Sequence, residues 1–173
     1  KLYERMLSQE NAEEAIKLLP FFDKKKRLSK VVGAQFWLGV GKSRQKVGVI
    51  TSHFLSKRKD NLKKSKNRQR QAYALVKAMT VFLLDTDKLI VLGDFNDFID
   101  SETLSILMTK HSLLSAEFMA GNSVTSSVPN NKEKKRKSWK IDHILYRKLN
   151  AVEFKRIDLA KHSDHDAVFT RFE

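Results

Sequence analysis

Asp94 and Asn96 lie two positions apart in Gly93-Asp94-Phe95-Asn96-Asp97, directly after the apolar run Leu89-Ile90-Val91-Leu92. The glycine lets the chain turn, so both side chains emerge together at a sheet edge. Hard divalent cations such as Mg²⁺ take oxygen ligands of that kind. The same residue types are ordinary turn formers, and a plain strand-to-loop turn is the other reading. His53 ends a second apolar run, Val47 to Phe54, and by the period of two shares a pleat face with Val47, Val49 and Thr51. Standing alone it reads first as a half-buried strand histidine. Asp142 sits in Trp139-Lys140-Ile141-Asp142-His143-Ile144-Leu145-Tyr146 on the face of Ile144, whereas His143 shares its face with Ile141 and Leu145. A carboxylate inside such a strand is costly unless something pairs with it. His162-Ser163-Asp164-His165-Asp166 offers a partner, because an Asp that orients a His, and a His that moves a proton near neutral pH, are the orienter and base of hydrolytic sites. Without the other segments that cluster reads as a solvated polar turn.

These residues need a scaffold. Residues 2–19 carry apolar side chains around an acidic middle and close at Pro20, which predicts helix throughout or in the second half. Val31 to Val40 and Lys46 to Phe54, separated by Gly41-Lys42-Ser43, predict a hairpin. Across 61–84, Ala72, Leu75, Val76, Met79, Phe82 and Leu83 recur on one face of an amphipathic helix. Leu89–Leu92 reads as a strand covered on both faces. A second helix, Thr103 to about Lys110, has Asp100 or Ser101 as N-cap. Residues 112–131 read as loops around short strands, and Ser138–Arg147, Val152–Leu159 and Ala167–Phe172 as closing strands. The pattern predicts a mixed α/β or α+β sandwich, two sheets flanked by helices, in one domain over 1–173.

Together, Thr51-Ser52-His53, Gly93-Asp94-Phe95-Asn96, Ile141-Asp142-His143-Ile144-Leu145 and Ser163-Asp164-His165 resemble, in this order, the markers of the endonuclease/exonuclease/phosphatase superfamily with the DNase I-like fold. Arg68-Gln69-Arg70-Gln71-Ala72 resembles a further recurring feature, and the resemblance spans about Arg27 to Glu173. It implies Mg²⁺- or Mn²⁺-dependent cleavage of a phosphoester by an activated water. On that pattern Asp94 orients or deprotonates the water and Asn96 holds it or a phosphate oxygen. His165 serves in acid/base chemistry or phosphate binding with Asp142 fixing its tautomer, His53 meets the scissile phosphate, and Asp164 lies at or beside the metal. The family's early Asn has no counterpart, and Gln9-Glu10 is the one candidate for its metal-binding Gln-Glu pair, Glu10 being otherwise a helix-surface glutamate. The chain therefore reads as N-terminally incomplete or as a degenerate member.

Thirty-four Lys+Arg against 20 Asp+Glu give a formal charge of +14, which points to a polyanionic partner, nucleic acid before an anionic membrane surface. Lys57, Arg58, Lys59, Lys63, Lys64, Lys66, Arg68 and Arg70 form one basic run after the His53 strand, and Lys134 and Arg136 belong to a second before the Asp142 strand. No base-reading motif accompanies them, so the expected substrate is nucleic acid, DNA before RNA, at low sequence specificity. The alternatives are a lipid phosphoesterase, sphingomyelinase-like or an inositol-phosphate phosphatase, and a non-catalytic nucleic-acid-binding relative. Against the lipid reading, Phe36 and Trp37 are expected in the core rather than on an exposed hairpin. The absence of cysteine excludes disulfides, thiolate metal sites and a Cys nucleophile. No apolar run reaches the roughly 18–20 residues of a membrane span, the opening residues do not read as a signal peptide, and no obligate protein partner is evident.

Overall fold

The computed structural model describes residues 30–39, 41–120, 140–157, 159, 162–163 and 165–173. The helix expected over 2–19, Glu10, Lys134, Arg136 and Asp164 lie outside these residues. Strand β1 (Lys30–Leu38) and strand β2 (Gln45–His53) form the expected antiparallel hairpin, closed by a 3₁₀ turn at Gly41–Ser43. Helix α1 (Leu62–Leu83) returns the chain along the sheet, with the Asn61 side chain accepting from Lys64 N as its cap. It delivers strand β3 (Lys88–Asp94), which pairs parallel to β2. Helix α2 (Glu102–Lys110) is capped by Ser101, not Asp100. A short strand β4 (Leu114–Ser115) and a one-turn helix α3 (Ala116–Met119) follow.

Strand β5 (Asp142–Arg147) pairs with both β3 and β4, completing a five-stranded sheet in the order β1-β2-β3-β5-β4. Of the strand expected over Ser138–Arg147, the described residues 140 and 141 precede the ladder, which begins at Asp142, opposite Asp94. Strands β6 (Ala151–Ile157) and β7 (Ala167–Phe172) pair in a second sheet. Alternate residues of β3 and β5 point to opposite sides, as the period of two requires. Leu89, Val91 and Leu145 join Leu75, Met79, Leu104 and Leu107 under the helices, and Ile144 and Tyr146 join Phe154 toward the second sheet. The main sheet is thus covered on both faces, which is the mixed α/β, two-sheet sandwich.

Phe36 and Trp37 correct the expectation of a core position, at 50% and 53% exposure. They stand on β1, which among the described residues is an edge strand paired with β2 alone, at the end of the hairpin near its turn. Arg44 and Lys46 lie over the Trp37 ring at 4.7 and 5.2 Å, so its partners are cations rather than core.

Candidate active site

The strand register sets the site. His53 pairs with Asp94, and Asp94 pairs with Asp142, so three titratable side chains occupy one row across β2, β3 and β5. Gly93 makes that row possible. Its φ is +142°, and a Cβ there would lie 2.0 Å from the Ser52 carbonyl oxygen of the neighbouring strand. The His53 Nε2 stands 3.5 Å from Asp94 Oδ2. His165, carried in by the segment before β7, places Nδ1 2.8 Å from Asp142 Oδ2 and Nε2 4.0 Å from Asp94 Oδ2. Donation from Nδ1–H to Asp142 fixes the tautomer and leaves Nε2 as the atom that exchanges a proton with a reactant. The structure therefore brings His53, Asp94, Asn96, Asp142 and His165 together.

Asn96 is used differently from the expectation. It is 5% exposed and sits in the left-handed region at φ +50°, which an Asn tolerates better than most residues. Its backbone N donates to Asp94 Oδ1 at 2.8 Å and its Nδ2 to Asp94 Oδ2 at 2.9 Å and to Phe54 O at 3.1 Å. Its Oδ1 accepts from Lys57 N at 3.1 Å. Both amide protons are spent inside the protein, so Asn96 grips the Asp94 carboxylate, and no side-chain donor remains for a water or a phosphate oxygen. Burial pushes the Asp94 carboxyl above the ordinary carboxylate range and the Asp142 charge adds to the shift, against the Asn96 N–H and the two imidazoles.

Beneath Asn96 lies a charge cluster that sequence reasoning missed. Asp97, 4% exposed, accepts from Lys57 Nζ at 2.5 Å, Arg68 Nε at 3.0 Å and the Thr103 hydroxyl at 2.8 Å. Arg68 extends its other nitrogens to Asp60 at 3.0 and 2.7 Å. Gln71 Oε1 accepts from Leu55 N at 2.9 Å, and the two α1 residues thereby bolt the 55–60 loop to the turn that follows β3. Burial opposes the Asp97 charge, but donation by Lys57, Thr103 and Arg68 outweighs it and holds the carboxyl below its usual range. Arg68 is 1% exposed and cannot meet a polyanion, which corrects its place among the nucleic-acid contacts. The signal was present, since Arg68 falls one turn before Ala72 on the inward face of α1. Lys57 likewise spends its charge inward on Asp97 and over the Phe98 ring. Arg58, Lys63 and Arg70 remain exposed, and Lys64, half-buried, donates to Arg58 O.

On the other side of the row, Arg156 donates to Glu117 Oε2 at 3.1 Å and to the Asp142 carbonyl at 3.2 Å, tying the second sheet to β5. His143 is buried with Nε2 2.9 Å from Asp97 O, and burial depresses its pKa. It is therefore a structural neutral histidine behind the site.

A divalent cation fits this donor set. Asp94, Asp142 and His165 offer ligand atoms all within 4.8 Å of one another. Two of the three are carboxylates on adjacent strands, whose mutual repulsion a cation would relieve.

No protein-family model matches the chain, and no curated protein matches it by sequence. Solved structures do match by shape. The human Nocturnin catalytic domain with bound sulfate is 20% identical at a TM-score of 0.55, with 86% of this chain and 62% of that chain covered. A humanized D. rerio TDP2 is 18% identical at 0.58, with 88% and 61% covered. An endonuclease/exonuclease/phosphatase from Bacteroides vulgatus is 16% identical at 0.57, with 86% and 67% covered. The chain spans about three fifths of the length of the first two. It has the DNase I-like fold that the resemblance implies.

Proposed function

We propose that this protein hydrolyses phosphodiester bonds of nucleic acid, DNA before RNA and with low sequence specificity, assisted by Mg²⁺ or Mn²⁺. The observation that supports it is the register row His53–Asp94–Asp142 with His165 hydrogen-bonded to its end. Asp94 and Asp142, with Glu10 and Asp164 as further candidates, would hold the cation, which would supply charge stabilisation at the phosphate oxygens where negative charge builds. Asp94, aimed by Asn96, accepts a proton from the attacking water. A new P–O bond forms from the water oxygen while the bond to the leaving oxygen breaks. His165 gives that oxygen its proton from Nε2 while Asp142 stabilises the imidazolium. His53, exposed at the rim, meets the phosphate.

The exposed Phe36, Trp37 and Leu38 revive the lipid reading, since such an edge suits a bilayer surface. They sit at the wrong end. Trp37 pairs with Lys46, seven residues before His53 on β2, which is about 23 Å at ~3.3 Å per residue. A headgroup at the site would not be reached by that edge, so nucleic acid stands first. Incubation with supercoiled plasmid, and with sphingomyelin or phosphoinositide vesicles, with and without EDTA, tests the proposal. Chelator-sensitive nicking is the expected result; lipid turnover alone, or plasmid retention without nicking, would overturn it. Asp94→Ala and His165→Ala should each lower turnover about 10²–10⁴-fold.

A further inference from the structure

Helix α1 is 22 residues long, about 33 Å at 1.5 Å per residue, and contains no acidic residue. Lys63, Lys66, Arg70, Tyr73 and Lys77 are all exposed. At 100° per residue they fall within an arc of about 80°, opposite the buried face of Arg68, Ala72, Leu75 and Met79. Among the described residues, the two acids at the ends of the helix are engaged elsewhere, Asp60 by Arg68 and Asp85 by Lys46 at 2.8 Å. Lys63 and Lys64 also crowd the positive end of the helix dipole with no acid in the first turn. Fold stability alone would favour mixed charge on such a face, with oppositely charged pairs one turn apart. A single-sign stripe is complementary to a polyanion.

The topology gives the stripe a direction. β2 ends at His53 beside Asp94, the chain crosses in eight residues to Leu62, and α1 then runs back along the sheet away from the site. We infer that the outer face of α1 is a backbone track for nucleic acid that leads from the catalytic rim down the side of the molecule. This rests on the reading of the substrate as nucleic acid, and it names the outer face of α1, where Lys77 extends the line of Lys63, Lys66 and Arg70 beyond the basic run, as the surface that holds the flanking polymer. From Lys63 to Lys77 the track measures about 21 Å, the rise of roughly six phosphates along one strand. Polymer longer than the rim itself can cover therefore binds more tightly than a short segment.

Binding of hairpin DNAs with 8-bp and 30-bp stems, followed by fluorescence anisotropy in EDTA over a salt series, tests the track without any turnover. The variant K66Q/R70Q/K77Q should lose at least about tenfold more affinity for the long stem than for the short one. Its slope of log K against log salt should be shallower by about 2–3, at ~0.9 per lost phosphate contact. The charge-preserving K66R/R70K/K77R should keep both properties. Equal losses on the two stems or an unchanged slope would overturn the track, as would wild-type protein that binds phosphatidylserine vesicles in preference to the long stem. Length-dependent binding that the variant abolishes supports the track even if plasmid is never nicked, so a failure of the hydrolytic reading shows separately.

Discussion

Asp94 is held on both oxygens by Asn96 and faces imidazoles on two sides, so the carboxylate has one orientation available. If Asp94 and Asp142 share a cation, binding to the native state must raise stability by mass action. Mg²⁺ at a hundred times its Kd adds about 2.7 kcal/mol, a rise in Tm of about 5–10 °C at this size. Calorimetry should show that rise in the wild type and not in D94N/D142N. One position along, Arg68 and Asp97 form a buried pair at 3.0 Å. Arg68→Met removes the guanidinium that joins Asp97 to Asp60 and leaves both to Lys57, with Thr103 still on Asp97, and should destabilise by up to about 3 kcal/mol in denaturant melts. The folded Asp97 carboxyl lies below its unfolded value, so its contribution is full above that value, about 3.9, and is lost as pH falls through the folded one. Asp97→Asn should accordingly lose stability at neutral pH and show a shallower decline on acidification, and a decline as steep as in the wild type would refute the assignment.

The elements carry these residues by register. Ser52 lies opposite Gly93, His53 opposite Asp94 and Asp94 opposite Asp142, which makes the site a property of strand pairing rather than of loops. Gly93 is where β3 meets β2 too closely for a side chain. Gly93→Ala sets a methyl against the Ser52 carbonyl at a positive φ and should cost about 3 kcal/mol or more, with loss of activity from whatever protein still folds. Unaltered melting would mean that the two strands are farther apart than described. Helix α1 serves two purposes from opposite faces: Arg68 and Gln71 lock the 55–60 loop inward, and the lysines face outward. Its apolar period predicted the helix well, but treating the basic run as one surface overlooked that the same period turns Arg68 inside.

At the scale of the molecule the site spans both sheets. The row belongs to the five-stranded sheet, and His165 precedes β7 of the second. Arg156 of β6 joins them through Glu117 and the Asp142 carbonyl, with the Tyr146–Phe172 ring contact at 5.1 Å alongside. Arg156→Met should let the sheets shift relative to each other, and a displacement near 1 Å costs on the order of 10²-fold in turnover. The expected signature is a fall in kcat with KM nearly unchanged; a variant with wild-type kcat would remove Arg156 from the positioning network.

The residue types, their order along the chain and the periods of the elements were determined by the amino-acid sequence alone, because apolar spacing and turn chemistry are local properties. They were enough to anticipate the hairpin, the two longer described helices, the doubly covered β3 and a two-sheet α/β sandwich, while the family resemblance implied the DNase I-like fold and named the five residues that the structure brings together. Which polar groups are spent inside the protein was decided by tertiary structure. Asn96 is closed off by Phe54 O and Lys57 N, Lys57 and Arg68 turn toward Asp97, and Phe36 and Trp37 stay exposed on β1. Pairing between residues 29 or more positions apart depends on which strands become neighbours, and no local pattern encodes that.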